Sequence, residues 1–150
     1  DDTIPAPGAL AALLRASETW AQAHHGNAPA ILSSKAVWKD GRAHPMNTPR
    51  TRPFCRPAER RDAAAAGAMP IRSASFVSQL VASSSVRAEG LPVADYFIWN
   101  DDFEFSARIL RTRVGLWVPA SVVEHRTAYF GSTDRDPGTG SATRCATRCG

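Results

Sequence analysis

The stretch DDFEFSARILRTRVGLWVPASVVEH, residues 101–125, holds two periodicities separated by a single glycine. Residues 101–113 open on acidic side chains and then repeat apolar ones at helical spacing, with Phe105 and Ile109 following Asp102 at i+3 and i+7 on one stripe. Asp101 and Glu104 stand at capping-box spacing, and carboxylates suit the electropositive start of a helix. After Gly115, residues 116–123 read as a strand that runs into Glu124-His125-Arg126-Thr127. A helix followed at once by an apolar strand is the repeating unit of a layered α/β architecture, and the rest of the chain is read outward from it.

Upstream, residues 7–25 are predicted helical. Leu10, Leu13, Leu14, Ser17 and Ala21 recur at three- and four-residue steps, Pro5 and Pro7 stand at the entrance, and Gly26-Asn27 closes the segment. Residues 30–38 read as a strand, and Asp40-Gly41 predicts a hairpin turn after it. Residues 45–69, punctuated by Pro45, Pro49, Pro53 and Pro57, are expected to form a mobile loop ending in an Ala-rich run. Residues 69–81 read as extended, and residues 83–89 as a short helix closed by Gly90. At the far end Ala142-Thr143-Arg144-Cys145 repeats at once as Ala146-Thr147-Arg148-Cys149. Residues 132–150 are therefore read as a disordered or foreign tail, and residues 1–131 as the domain.

One domain is what 150 residues allow, and 43% hydrophobic against 21% charged residues excludes wholesale disorder. No uncharged apolar run has the length of a membrane helix, and no signal peptide is visible. The chain opens Asp1-Asp2-Thr3 without Met, and is read as part of something longer. Its net charge of +4 comes from 18 basic residues, all Arg except Lys35 and Lys39. With the abundant Ala, this points to a GC-rich coding sequence rather than to a polyanion partner. The densest group, Arg50, Arg52, Arg56, Arg60 and Arg61, has only Phe54 interleaved, a weak nucleic-acid footprint, and no nucleic-acid partner is expected. Cys55, Cys145 and Cys149 make no disulfide framework and no zinc-ligand spacing, so free thiols in the cytoplasm are expected.

Three places carry polar groups suited to chemistry. Asp1-Asp2, ahead of a helix, suits a hard divalent cation, the bland alternative being a solvated terminus. Asp102 lies on the stripe that faces inward, where a carboxylate is either hydrogen-bonded into the core or exposed in a cleft. Burial would raise its pKa and the helix terminus would lower it, and a positioned carboxylate of this kind can act as a general base. His125 ends a strand, where α/β proteins collect their sites. His24, His25 and His44 have no supporting pattern.

The order of these pieces carries more than each alone. Asp1-Asp2-Thr3-Ile4-Pro5, then Gly41-Arg42-Ala43-His44-Pro45-Met46, then Ile98-Trp99-Asn100-Asp101-Asp102-Phe103-Glu104-Phe105, then Val118-Pro119-Ala120-Ser121-Val122-Val123-Glu124-His125 resembles the inverting family 2 glycosyltransferases. Within that family the series is most similar to the bacterial galactofuranosyl- and rhamnosyltransferases. The resemblance implies a GT-A (Rossmann-like) α/β domain that moves a sugar from a nucleotide-sugar donor, with UDP-galactofuranose the nearest suggestion, to a glycan or lipid-linked glycan of the cell envelope. It implies a divalent cation, Mn²⁺ or Mg²⁺, held by Asp1, Asp2 and His125. Asp102 matches the catalytic base, Asp101 and Glu104 its acidic neighbours at the acceptor, and Trp99 an aromatic against a sugar face. The implied location is the cytoplasm, peripheral to the inner face of the plasma membrane.

In that family the strands that hold the nucleobase precede the acidic metal motif. This sequence is accordingly read as the later portion of the domain, expected to be inactive alone or to need the missing part. Two other readings stand beside it: a non-catalytic basic module binding an anionic surface through residues 50–61, and an inactive gene fragment. A glycosidase acid–base pair is a formal rival that leaves Asp1-Asp2 and His125 unexplained together.

Overall fold

A computed structural model of the chain describes residues 2–96, 100–128 and 130. Asp1, Trp99 and the tail at 132–150 lie outside the described residues. In chain order the elements are β1 (Thr3–Pro5), α1 (Ala9–Ala23), β2 (Ile31–Val37), β3 (Arg50–Thr51), α2 (Pro57–Ala65), β4 (Met69–Ser73), β5 (Gln79–Val81), α3 (Ser83–Glu89), α4 (Asp101–Leu110) and β6 (Gly115–His125). Short 3₁₀ turns occupy Pro45–Asn47 and Ala94–Tyr96.

The architecture is mixed α/β, built on one curled mixed sheet of order β3-β4-β6-β2-β5. β2 and β6 run parallel at its centre, and the other pairs are antiparallel. Being covered on both faces, β2 and β6 are apolar on both, as buried parallel strands must be. Leu32, Leu116 and Val118 face a layer formed by α1 and α2, where Leu13, Ala16, Trp20 and Ala63 complete the packing. Ile31 faces the opposite layer, where Phe105, Ile109 and Leu110 of α4 pack with Ile71, and Val86 of α3 borders them. Each fully buried side chain of this size contributes about 1.5–3 kcal/mol relative to exposure, so the two clusters hold the sheet between its helices.

β6 is long enough to take two partners on one edge. Its start pairs with β4, Gly115 opposite Ile71, and its end pairs with β1, His125 opposite Thr3. Pro119, which has no N–H to give a ladder, falls between these two paired stretches and at a register shift against β2. The shift turns Ser121 inward, where it shares a 2.7 Å hydrogen bond with Ser34, and Ser78 donates to Ser34 at 2.7 Å. Gly115 sits in close packing rather than in a turn: a Cβ there would lie 2.7 Å from both methyl carbons of Leu110 and 3.2 Å from Ile71 Cγ1, so Leu110 would have to shift.

The predicted helices at the start, at 83–89 and after Asp101 form, the last ending at Leu110. The α1 face that packs differs from the Leu10–Leu14 stripe. Leu10 and Leu14 are exposed, and Ala9, Ala12, Leu13, Ala16 and Trp20 are buried, the small residues letting α1 lie close on β6. Residues 45–69 are not a loop throughout. Pro57 takes the first position of α2, where its missing N–H costs nothing, and the Ala-rich run continues the helix and buries Ala63. The extended reading of 69–81 divides into β4 and β5 around a turn. The Asp40-Gly41 turn forms, with Gly41 at φ 83°, but it closes only one bridge, Val37 to Ala43, before the chain leaves toward His44.

Candidate functional site at the carboxyl end of the central strand

His125 is the last residue of β6 and is 7% exposed. The β1–β6 ladder brings the start of the chain beside it, and Arg126 N donates to Asp2 O at 2.6 Å just past the ladder. The side chains follow: His125 Nε2 and Asp2 Oδ2 are 3.1 Å apart. The other ring nitrogen, Nδ1, is 2.7 Å from Oδ1 of Asn47, whose Nδ2 donates to Ser75 Oγ at 2.9 Å. A carbonyl oxygen only accepts, so Nδ1 carries the proton and Nε2 either donates to Asp2 as imidazolium or presents a lone pair. Burial raises the Asp2 carboxyl. The adjacent His125 charge and hydrogen bonds from its own backbone, His125 and Thr3 outweigh that effect and hold it below the ordinary carboxylate value.

A second histidine backs the first. His44 is fully buried, its ring 5.0 Å from that of His125, and its Nε2 lies 3.0 Å from Thr127 Oγ1. Burial, then the like charge of His125, pulls its pKa below the ordinary imidazole value.

His125 lines a cleft of about 500 Å³ together with Asn47, Arg50, Ser73, Ser75, Asp101 and Asp102. The opposite wall is the first turn of α4. Asn100 precedes it at φ 68°, a left-handed conformation that Asn tolerates, and Ser106 fastens the turn to the end of β4. Ser106 Oγ, fully buried, accepts from Ala74 N at 3.0 Å and lies 2.7 Å from Asp102 O as donor. Asp102 is half-buried, and its Oδ1 accepts from Phe103 N at 2.6 Å. Among the described residues its Oδ2 has no hydrogen-bond partner, so one carboxylate oxygen is available to a bound hydroxyl.

Of the residues singled out from sequence, His125, Asp101 and Asp102 line the cleft, and Asp2 reaches His125 without lining it. Asp1 and Trp99 fall outside the described residues. Glu104 does not line the cleft. Its two oxygens accept from Arg108 at 2.6 and 3.2 Å, and Arg108 in turn donates to the carbonyls of Glu89 and Leu91, tying α4 to the end of α3. Arg50, its guanidinium 5.6 Å from the centre of the Phe103 ring, adds a cation to the cleft. Sequence reading missed Asn47 and His44. Both lie among prolines with no periodicity, and only long-range pairing sets them against β6.

Among the described residues no group of three or more His, Cys, Asp and Glu side chains converges as a metal cage. The donor pair nevertheless fits a hard or borderline cation. Asp2 Oδ2 and His125 Nε2 stand 3.1 Å apart as a hydrogen-bonded pair, so the fit rests on their donor chemistry and not on their spacing. Carboxylate with imidazole suits Mn²⁺, and the Asn47 hydrogen bond is the outer-shell contact that fixes a ligating histidine. Comparison of the chain with family models, curated proteins and solved structures found no match.

Proposed function

We propose that the cleft is the metal and acceptor end of an inverting glycosyltransferase of GT-A type, acting on a nucleotide-sugar donor and a glycan hydroxyl. The observation that carries this reading is the convergence of groups far apart in sequence: Asp2 bound to His125, and His125 lining one cleft with Asp102. These are the positions where the resemblance to family 2 transferases puts a metal carboxylate, a metal imidazole and a catalytic base.

In this reading Asp2 and His125, with Asp1 beside Asp2 in sequence, hold Mn²⁺ or Mg²⁺. When bound, the cation supplies positive charge to the diphosphate leaving group. Asn47 keeps Nδ1 of His125 protonated and so leaves Nε2 free to ligate. Asp102 Oδ2 takes the proton from the acceptor hydroxyl while that oxygen bonds to the anomeric carbon, and the bond from that carbon to the diphosphate breaks on the opposite face. One displacement with one base gives inversion. Asp101, also on the cleft, hydrogen-bonds the acceptor, and the resemblance gives Trp99, outside the described residues, the role of an aromatic against a sugar face. Glu104 acts at one remove, orienting Arg108 and through it the α3–α4 corner.

Transfer from UDP-galactofuranose to a lipid-linked glycan acceptor by the domain with its missing part restored, measured with and without Mn²⁺, tests the reading. Asp102→Asn is expected to lower the rate at least about a hundredfold while Mn²⁺ binding stays unchanged. Equal rates in the two proteins, or Mn²⁺ binding that His125→Ala leaves unchanged, contradict it.

A further inference from the structure

The connection between β3 and α2, Arg52-Pro53-Phe54-Cys55-Arg56, ends in a side chain that the domain does not shelter. Phe54 is fully exposed and sits at φ 53°, a left-handed backbone state uncommon for an aromatic residue. A single exposed apolar residue is ordinary, so its surroundings decide what it does. Pro53 and Pro57 flank it and are exposed. Neither has an N–H to strip of water when the tip leaves the aqueous phase. Behind the tip stand Arg56, Arg60 and Arg61, all exposed. The acids nearby are already engaged: Glu59 pairs with Arg52 at 3.4 Å and Asp62 with Arg61 at 3.2 Å. Among the described residues Arg56 and Arg60 have no ion-pair partner.

We propose that this loop docks the protein on an anionic lipid surface, Phe54 entering the boundary between headgroups and acyl chains while Arg56 and Arg60 meet lipid phosphates. An apolar tip backed by unneutralised guanidinium groups is the complement of that surface, apolar contact and charge attraction adding to each other. A single-stranded nucleic acid would need successive aromatic platforms, and the loop has one ring. A protein partner would need a contiguous apolar patch, and beyond the two prolines the surface here is charged. The inference does not rest on the transferase reading, since it uses no residue of the cleft. Arg50, four residues before Phe54, lines the cleft.

Co-sedimentation of the full chain with vesicles of phosphatidylcholine and phosphatidylglycerol, mixed about three to one, tests it against vesicles of phosphatidylcholine alone. Binding to the anionic vesicles is expected, weakening with salt. Phe54→Ser is expected to reduce affinity about tenfold, and Arg56→Gln or Arg60→Gln about fivefold each. Because Phe54 touches nothing in the core, Phe54→Ser should melt like the parent. Phe54→Trp should bind as the parent does and be quenched by brominated acyl chains beyond the quenching of the four native tryptophans. Phe54→Ser binding as tightly as the parent overturns the proposal. So does a protein whose loss follows the arginines alone and whose vesicle binding single-stranded DNA competes away equally in parent and Phe54→Ser, which is the behaviour of a plain polyanion surface.

Discussion

Asn47 is the residue on which the cleft's chemistry turns, because it decides which nitrogen of His125 bears the proton. Its side chain is buried, with Oδ1 on His125 and Nδ2 on Ser75. Removing it takes from His125 Nδ1 and Ser75 Oγ the hydrogen bonds it makes to them. Asn47→Ala is expected to cost about 1–3 kcal/mol of stability, read from a urea melt. It should also weaken Mn²⁺ binding about tenfold to a hundredfold, read by calorimetric titration, because the imidazole loses its fixed tautomer. A variant that melts earlier but binds Mn²⁺ as tightly as the parent would make Asn47 a packing residue only. His125 and Asp102 were legible from sequence because each ends or begins an element with clear periodicity. Asn47 was not, since nothing local distinguishes it from any polar residue near a proline.

At the scale of elements, the α4–β6 corner sets the geometry of the cleft. Leu110 closes α4 over Gly115, the first residue of β6, and His125 of the cleft is the last. Gly115→Ala asks Leu110 and Ile71 to move together, and Ile71 is itself buried. A loss of about 1–3 kcal/mol is expected in thermal or urea unfolding, the usual cost of overpacking a close contact. Unchanged stability would show that Leu110 has another rotamer available and that the corner is less constrained than its distances suggest. The helices with plain stop signals, Gly26 after α1 and Gly90 after α3, were legible in the sequence. So was β6, by its apolar run after Gly115. α2 was not, because four prolines and an arginine cluster read as a loop, whereas Pro57 is the helix's first residue. The helical period of α1 was legible, but the face that packs, with Ala9, Ala12, Leu13, Ala16 and Trp20 buried, is set by close approach to β6.

For the whole molecule, the order of strands is what joins distant residues into a site, and it is the part least visible in sequence. No local pattern says that Thr3 pairs with His125, or that β2 and β6 lie side by side with the site at the end of β6. Among the described residues no helix is long and apolar enough to cross a membrane. The same topology underlies the proposal that Asp2 and His125 hold a cation beside the cleft that Asp102 lines. Mn²⁺ added to isotope-labelled protein tests this most directly, through paramagnetic broadening of the amide spectrum. Broadening centred on His125, Asn47 and the start of α4 is expected, together with its loss in His125→Ala. Broadening that is diffuse, or centred on other acidic residues such as Glu59 and Asp62, would contradict it.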